Sequence, residues 1–177
     1  MTDGVYSLLV SHLSAYFATG TVPQRGETLL DGGTHYYNVY ETKDGKWLSI
    51  GSIEPWFYAN LCKALDREDL LPCEFVKAEQ RQILKRTLSD VFKTKTRDEW
   101  FELLTRHDIC VGKVYDLDET EDDPHLRARE MIVEVDDPEV GKVKQVGISV
   151  KLSETPGQIR FLASPLGAHT EVILTSL

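Results

Sequence analysis

The sequence predicts an α+β fold in which a β-hairpin, several helices and a small antiparallel sheet are built around a hydrophobic core. Three observations support this class. Apolar residues recur at helical spacing in several stretches, they alternate or run in short pieces in others, and segments rich in Gly and Pro lie between them. With 177 residues, of which 41% are hydrophobic, the chain is long enough for one core and a small second one.

The composition argues against several classes of partner. The net charge of −9 disfavours nucleic acid and anionic membranes, and no stretch approaches the roughly 20 apolar residues of a membrane span. The N-terminus lacks the basic and then apolar order of a signal peptide. Cys62, Cys73 and Cys110 are odd in number and form no CxxC pair. We therefore expect a cytoplasmic protein with reduced thiols that binds neither nucleic acid nor membranes.

Residues 1–19 are predicted to form one helix, because apolar residues recur there at steps of three and four. The stripe consists of Val5, Leu8, Leu9, His12, Leu13, Tyr16 and Phe17. Thr2 or Asp3 is suited to cap the start of this helix, and Gly20 is suited to end it. A stripe of this width must dock on the core of this chain or on another chain. Residues 21–33 contain Pro and Gly and are expected to connect two structural units.

Residues 35–53 are predicted to form a β-hairpin, because Asp44-Gly45 is a strong signal for a tight turn. A two-residue loop at this position pairs Val39 with Ile50 on an aliphatic face. The opposite face then carries the aromatic residues Tyr36, Tyr40 and Trp47. We expect both faces to be covered at least in part.

Three helices are predicted after the hairpin. One covers residues 55–65, and the next covers residues 75–93 with a buried stripe of Val76, Ile83, Leu84, Leu88, Val91 and Phe92. The other face of that second helix carries Lys77, Arg81, Lys85 and Arg86, which suit either phosphate groups or, more simply, solvent. Thr96 and Glu99 form a capping box that opens the third helix, which ends near residue 107. Residues 109–114 are predicted to form a buried strand or an extended segment.

The acidic stretch at residues 116–123 resembles a calcium loop but does not satisfy its pattern. Counted from Asp116, Glu121 occupies the position that needs Gly, and Arg127 occupies the position that needs Glu. We expect no metal site there. Beyond it the sequence predicts a short helix that starts near Pro124. Three short pieces are predicted to form an antiparallel sheet, at residues 132–135, 140–145 and 148–152, and a closing helix is predicted from residue 170.

The stretch 47–58 contains the most suggestive feature, a predicted strand that leads through Gly51 into a helix starting at Pro55. Such a corner directs backbone N–H groups and the positive end of a helix dipole at one point, which suits an anion or an enolate oxygen. Glu54 places a carboxylate there. The alternative interpretation is that Glu54 only compensates the helix dipole. The sequence contains no Walker loop, nucleophile elbow or HExxH motif, and its five histidines are dispersed.

Four stretches follow one another along the chain. The first is Asp31-Gly32-Gly33 with Tyr37, Tyr40 and Asp44-Gly45; the second is Gly51-Ser52-Ile53-Glu54-Pro55 with Phe57-Tyr58; the third covers residues 123–129; and the fourth covers residues 153–157 with 164–170. In this order they resemble the family III CoA-transferases, the CaiB/BaiF group that includes the α-methylacyl-CoA racemases. The resemblance extends over nearly the whole chain.

The second stretch resembles the racemase type, which has Gly-Ala-Ile-Glu-Pro, more than the formyl-CoA transferase type, whose Gly-rich loop ends in Gln. The resemblance implies that Glu54 lies beside the thioester of a bound acyl-CoA and supports the proton-transfer residues. It also implies that Gly51, Ser52, Ile53 and Tyr37 lie near the substrate. Acyl-CoA enters as substrate, and no covalently bound cofactor is implied.

The resemblance further implies a domain division. Family members carry a CoA-binding domain with the catalytic Asp, or the His and Asp proton carriers, before the segment that this chain resembles. We therefore expect residues 1–30 and the tail 155–177 to belong to that large domain, and residues 31–154 to form the small α+β domain. We expect an enzyme part that is inactive without an N-terminal half, supplied by the same protein or a separate chain, and that forms a homodimer. The alternatives are CoA transfer between carboxylic acids and a non-catalytic association module.

Overall fold

The computed structural model describes the backbone of residues 1–177 and every side chain except that of Ala78. The chain forms two compact units, Met1–Val114 and Tyr115–Leu177. Its elements confirm the predicted α+β class, with a hairpin, helices and a small antiparallel sheet. The proposed division at residues 30 and 154 stays a prediction. No helix in the described chain combines the length and the apolar composition needed to cross a membrane.

The opening segment forms two helices, α1 (Thr2–Leu8) and α2 (Val10–Thr19), where the sequence predicted one. The break falls at Leu9, whose amide donates to Tyr6 O three residues back (3.1 Å) and so tightens the turn. Gly20 ends α2 in the left-handed conformation, as predicted. The predicted side-chain cap is wrong, because Met1 occupies the N-cap position and no side chain caps α1 among the described residues. Neither helix has a buried residue.

The first unit contains a three-stranded antiparallel sheet in the order β1 (Tyr37–Glu41), β2 (Trp47–Gly51) and β3 (Val111–Val114). The predicted hairpin register is wrong by one residue, since Val39 pairs with Ser49 and not with Ile50. The loop has three residues, because the Thr42 amide donates to Lys46 O (2.8 Å) and Gly45 adopts a positive φ of 74°.

This shift of one residue moves every side chain of β2 to the opposite face relative to the side chains of β1. Tyr40 now faces Leu48 on the buried side of the sheet, and Ile50 lies on that side as well. Val39 and Trp47 lie on the opposite side, where they are 44% and 46% exposed. The predicted separation into an aliphatic and an aromatic face is therefore wrong, and the core face carries residues of both kinds.

Three α-helices and a 3-10 helix complete the first unit: α3 (Pro55–Ala64), the 3-10 helix Glu68–Cys73, α4 (Ala78–Phe92) and α5 (Arg97–Thr105). The capping box of Thr96 and Glu99 is confirmed at the start of α5. Ile83, predicted to be buried, is 64% exposed because the buried face of α4 is the narrower row of Leu84, Leu88 and Phe92.

A single hydrophobic core holds the sheet and these helices together. Its buried members come from β1 and β2, from all three helices and from the segments between them: Tyr36, Tyr40, Leu48, Ile50, Tyr58, Leu61, Cys62, Leu65, Leu70, Leu84, Leu88, Phe92, Trp100, Leu104 and Ile109. All of them lie in the first unit. Burial of each of the large apolar side chains contributes about 1.5–3 kcal/mol to folding, so this core holds the strands and helices of the first unit in fixed positions.

The second unit contains the 3-10 helix Leu117–Asp122, α6 (Pro124–Ala128), the hairpin β4 (Ile132–Asp137) and β5 (Gly141–Val146), and α7 (Thr170–Thr175). The predicted start at Pro124 and the closing helix from Thr170 are confirmed. The predicted strand at residues 148–152 is wrong. The β4–β5 ladder is extended only to Gly147, whose amide donates to Met131 O (2.8 Å), and the chain beyond it pairs with no strand of this unit.

Candidate functional site

The predicted corner between a strand and a helix is present. Strand β2 ends at Gly51, and helix α3 begins at Pro55, with Glu54 as the N-cap residue in an extended conformation (φ −74°, ψ 140°). The sequence determines this geometry locally. Proline fixes its own φ at a helical value and lacks the N–H that a first-turn residue leaves unpaired, and it disfavours a helical conformation at the preceding residue.

The backbone amides of the corner are mostly used within the fold. The Gly51 amide donates to Cys110 O (2.8 Å), the Ser52 amide donates to Tyr36 O (2.9 Å), and the Ile53 amide donates to Gly51 O (3.1 Å). The expectation that these amides converge on a ligand is therefore wrong for these three residues.

The first turn of α3 retains the donors that such a corner needs. The amides of Trp56 and Phe57 lie too early in the helix for an intrahelical acceptor, and no side chain caps them among the described residues. Helix α3 has ten residues, so its dipole adds positive potential at this end. The corner thus keeps two N–H donors in the first helical turn that follows Glu54.

Glu54 is half-buried at this corner. Within the described part of the chain its carboxylate takes no hydrogen bond and no ion pair. The carboxylate lies within electrostatic range of Cys110. Partial burial raises the pKa of the Cys110 thiol, and the negative charges of Glu54 and Asp108 raise it further. The carboxylate is thus neither neutralised by a cation among the described residues nor turned fully to solvent.

A cavity of about 530 Å³ lies in the first unit against the outer face of the sheet. Its lining consists of Leu30, Asp31, Gly32, Tyr37, Asn38, Val39, Ser49, Ile50, Gly51, Cys110, Val111 and Gly112. Tyr37 and Gly51, two of the predicted substrate-proximal residues, pair across β1 and β2 and both line it.

The other predicted site residues lie outside the lining of the cavity. Ser52 is fully buried, and its hydroxyl has no hydrogen-bond partner among the described residues. Ile53 is half-buried and packs against the hydrophobic core. Glu54 lies beyond both of them in the chain, after β2 has left the cavity at Gly51. The roles predicted for Ser52, Ile53 and Glu54 toward a substrate stay predictions.

One wall of the cavity is a loop closed by short-range hydrogen bonds. The Gly33 amide donates to Thr28 O (3.0 Å), and Asp31 Oδ2 accepts from the Gly26 amide (3.1 Å). Burial would raise the pKa of Asp31, but the hydrogen bonds it accepts from Thr28 and neighbouring amides lower it overall. Asp31 is therefore ionised at neutral pH and holds the loop that carries Leu30.

The polar groups of the cavity are largely satisfied within the protein. Asn38 Oδ1 accepts from the Val39 amide (2.8 Å), and Ser49 Oγ donates to Gly112 O (3.0 Å). No Lys, Arg or His lies among the described residues that line the cavity. The wall thus presents aliphatic side chains, glycine backbone and the Tyr37 ring, and it suits an apolar group better than a second anion.

Sequence reasoning missed the contribution of β3 to this cavity. Cys110 and Gly112 line it because β3 pairs with β2, and Gly112 lies opposite Ser49. A Cβ atom at position 112 would approach Ser49 Oγ to 2.9 Å, so a larger residue there would push the Ser49 hydroxyl aside and disturb its bond to Gly112 O. The glycine inside a predicted strand was the available signal for such a close approach.

The family follows from a comparison with known sequences. The family model described as CoA-transferase family III matches residues 1–170. The chain belongs to CoA-transferase family III. This family III chain spans less than half the length of the curated relatives given below.

Its relatives carry out more than one reaction. The chain is 28% identical over 180 residues to succinyl-CoA–D-citramalate CoA-transferase of Chloroflexus aurantiacus, a match that covers 99% of this chain and 44% of the relative. It is 34% identical over 152 residues to α-methylacyl-CoA racemase of Mus musculus, a match that covers 85% of this chain and 39% of the relative. Membership of the family therefore leaves both the transferase and the racemase reaction open.

Solved structures agree on the fold of this family III chain. A crystal structure of a CAIB/BAIF family protein from Brucella suis superposes with a TM-score of 0.71 at 18% identity, over 96% of this chain and 44% of that one. A crystal structure of the hypothetical protein Rv3272 from Mycobacterium tuberculosis gives a TM-score of 0.65 at 17% identity, over 96% of this chain and 44% of that one.

Proposed function

We propose that this chain is part of an acyl-CoA enzyme of the racemase type, which removes the α-proton of a 2-methylacyl-CoA and returns it on either face. The observation that carries the proposal is the corner before α3. There Glu54 is half-buried, and its carboxylate has no partner among the described residues. It precedes two first-turn amides that no side chain caps, and Gly51, three residues earlier, lines the apolar cavity.

The chemistry requires these features. A thioester acidifies the neighbouring carbon, and loss of its proton gives an enolate whose oxygen needs fixed donors and little water. The amides of Trp56 and Phe57 suit that oxygen, and Glu54 suits a role in orienting the groups that carry the proton. By resemblance to the family, those carriers are a His and an Asp on polypeptide outside this chain, and the isolated chain is proposed to be inactive.

The lining of the cavity favours the racemase type over transfer to a dicarboxylic acid. A succinyl or citramalyl group carries a second carboxylate, which needs a cation to offset its desolvation. The lining offers the Asp31 carboxylate and, within the described residues, no cation. A branched alkyl chain instead gains about 25 cal/mol for each Å² of apolar surface that it buries there.

CoA transfer between carboxylic acids is the second candidate. The match to the Chloroflexus transferase over 99% of this chain favours it. The chain differs from the formyl-CoA transferase type at residues 51–55, where Gly-Ser-Ile-Glu-Pro replaces a Gly-rich loop that ends in Gln.

A reconstitution experiment separates the two reactions. The chain is mixed with, or fused to, the N-terminal CoA-binding half of a family III protein, and a 2-methylacyl-CoA is added in D₂O. The racemase type predicts deuterium at the α-carbon without a new thioester, whereas the transferase type predicts a new thioester once a free carboxylic acid is supplied. Deuterium incorporation by the pure chain would contradict the proposal that the proton carriers lie outside it.

We also propose that the apolar face of α1 and α2 packs against that second polypeptide or within a homodimer. Val5 and Phe17 are 60% and 71% exposed, and neither helix buries a residue against its own unit. An uncovered face of this size favours association. Native mass spectrometry tests this, and a monomer that binds no N-terminal half contradicts it.

A further inference from the structure

His35 is a fully buried histidine that lies just before β1 and outside the cavity. Its ring packs edge-on against Tyr36 and Tyr58, with ring centroids at 5.0 and 5.5 Å. Its Nε2 atom lies 3.0 Å from the Tyr58 hydroxyl, and this contact is buried. A buried polar contact between two ring systems fixes both side chains in place.

The hydrogen bonds around Tyr58 determine the tautomer of His35. The Tyr58 hydroxyl also contacts Leu70 O at 2.8 Å, and a carbonyl oxygen can only accept. The single hydroxyl proton of Tyr58 is therefore donated to Leu70, so His35 Nε2 must carry the proton that it donates to Tyr58. His35 Nδ1 is then unprotonated, and it has no hydrogen-bond partner among the described residues.

This chain of contacts holds the helix that begins at the corner. Tyr58 belongs to the first half of α3, and Leu70 belongs to the 3-10 helix that follows α3. On the other side of the histidine, the Tyr40 hydroxyl donates to His35 O at 2.5 Å. Strand β1, helix α3 and the 3-10 helix are thus joined through one histidine.

We infer that His35 is a pH-sensitive latch that holds helix α3 and its corner in place while the imidazole is neutral and releases them when Nδ1 is protonated. A proton at Nδ1 would be buried beside no acceptor within the described residues, which costs as much as any unpaired buried charge. The latch stands on these contacts and does not depend on the proposed function.

The charges around the imidazole act in the same direction. Arg81 and Lys85, two cations of α4, lie within electrostatic range of His35. Burial comes first, followed by these two cations, and together they lower the pKa of His35 from 6.5 to about 4.

The other titratable groups near the latch are neutral at neutral pH or lie beyond its first contacts. Burial raises the pKa values of the Tyr36, Tyr40 and Tyr58 phenols, so these stay protonated. Glu74 lies within electrostatic range of Tyr36 and Tyr58, and burial raises the pKa of its carboxyl.

The direction of the pH effect follows from the lowered pKa. The unfolded chain takes up a proton at this histidine near pH 6.5, whereas the folded chain resists it down to about pH 4. The contribution of His35 to stability is therefore complete above pH 6.5 and is lost as the pH falls towards 4. Within that window the folding equilibrium constant falls up to about tenfold for each pH unit because of this residue.

The test measures urea unfolding of the full chain between about pH 7.5 and 4.5 for the wild type and His35→Gln, which keeps an N–H donor but does not titrate. The wild type is expected to lose stability over this range more steeply than His35→Gln, by up to about tenfold in the folding constant for each pH unit. His125→Gln is the matched control, because His125 is exposed and its replacement should leave the wild-type profile unchanged. Equal slopes for wild type and His35→Gln would overturn the inference.

A second measurement keeps the inference testable if His35→Gln fails to fold. Long-range ¹H–¹⁵N NMR spectra of the wild type report the tautomer and the titration of each histidine. The latch predicts an Nε2–H tautomer for one histidine that stays neutral down to about pH 5. An Nδ1–H tautomer, or titration of all five histidines near the ordinary value of about pH 6.5, would refute it. Neither experiment measures activity, so failure of the proposed reaction leaves their outcome unaffected.

Discussion

Replacement of Gly33 by alanine tests whether the loop that walls the cavity is built as described. A Cβ atom at this position would lie 2.2 Å from Thr28 O and 2.3 Å from the Glu27 carbonyl carbon. Real Cβ atoms essentially never approach a non-bonded atom closer than 3.0 Å. The backbone at Gly33 and the backbone at Glu27 and Thr28 must therefore separate by at least 3.0 − 2.2 = 0.8 Å. This movement strains or breaks the bond from the Gly33 amide to Thr28 O (3.0 Å). Overpacking costs about 1–3 kcal/mol and a lost hydrogen bond about 1 kcal/mol, so we expect about 2–4 kcal/mol.

Urea unfolding followed by circular dichroism measures this loss. Gly4→Ala makes the same chemical change where nothing beyond its chain neighbours and its own helix backbone lies within 4 Å of the new Cβ, so it serves as the matched control. Gly4 lies in α1, and we expect Gly4→Ala to change the free energy of unfolding by less than about 1 kcal/mol, in the stabilising direction. The reasoning is refuted if Gly33→Ala unfolds at the same urea concentration as the wild type and the control.

Two further predictions concern the scaffold of the first unit. Trp100→Phe is expected to lower the free energy of unfolding by about 1–3 kcal/mol, because the buried Trp100 Nε1 donates to Phe92 O (2.8 Å) and its loss leaves that carbonyl unpaired. Trp56→Phe, at a side chain that is 60% exposed, should change the urea midpoint little, and equal effects of the two variants would contradict this. For Asp44, burial raises the pKa of the carboxyl, but hydrogen bonds from Thr42 and the Arg97 amide lower it overall from 3.8. The stability that Asp44 provides over Asp44→Asn should be present above pH 3.8 and shrink as the pH falls below it, as acid unfolding curves of both proteins would report.

The sequence predicted best what short-range chemistry decides. The capping box of Thr96 and Glu99 and the start of α3 at Pro55 depend on residues within three or four positions of each other, and both were confirmed. The hairpin register was wrong because Asp44-Gly45 fits both a two-residue and a three-residue loop. What selects the longer loop is tertiary, since Asp44 Oδ1 accepts from the Arg97 amide (3.1 Å), 53 residues along the chain.

The candidate site divides in the same way. The corner at residues 51–55 was predictable from strand, glycine and proline signals. The cavity beside it was not, because it depends on the pairing of β2 with β3 across about 60 residues, which brings Cys110 and Gly112 next to Ser49. The burial of His35 was not predictable either. It depends on contacts with Tyr58 and Tyr40 that only the packed core brings together.

The exchange rate of the α-proton in Glu54→Gln tests the proposed role of the corner most directly. The chain and the N-terminal half are combined in D₂O with a 2-methylacyl-CoA, and deuterium at the α-carbon is followed by mass spectrometry. Glu54→Gln keeps the size of the side chain and removes its charge, so we expect exchange to fall about 10²-fold, the scale of the loss when proton-transfer groups are misplaced by about 1 Å. Glu68→Gln, at an exposed carboxylate of the same unit, should exchange like the wild type. Wild-type exchange in Glu54→Gln would contradict the account.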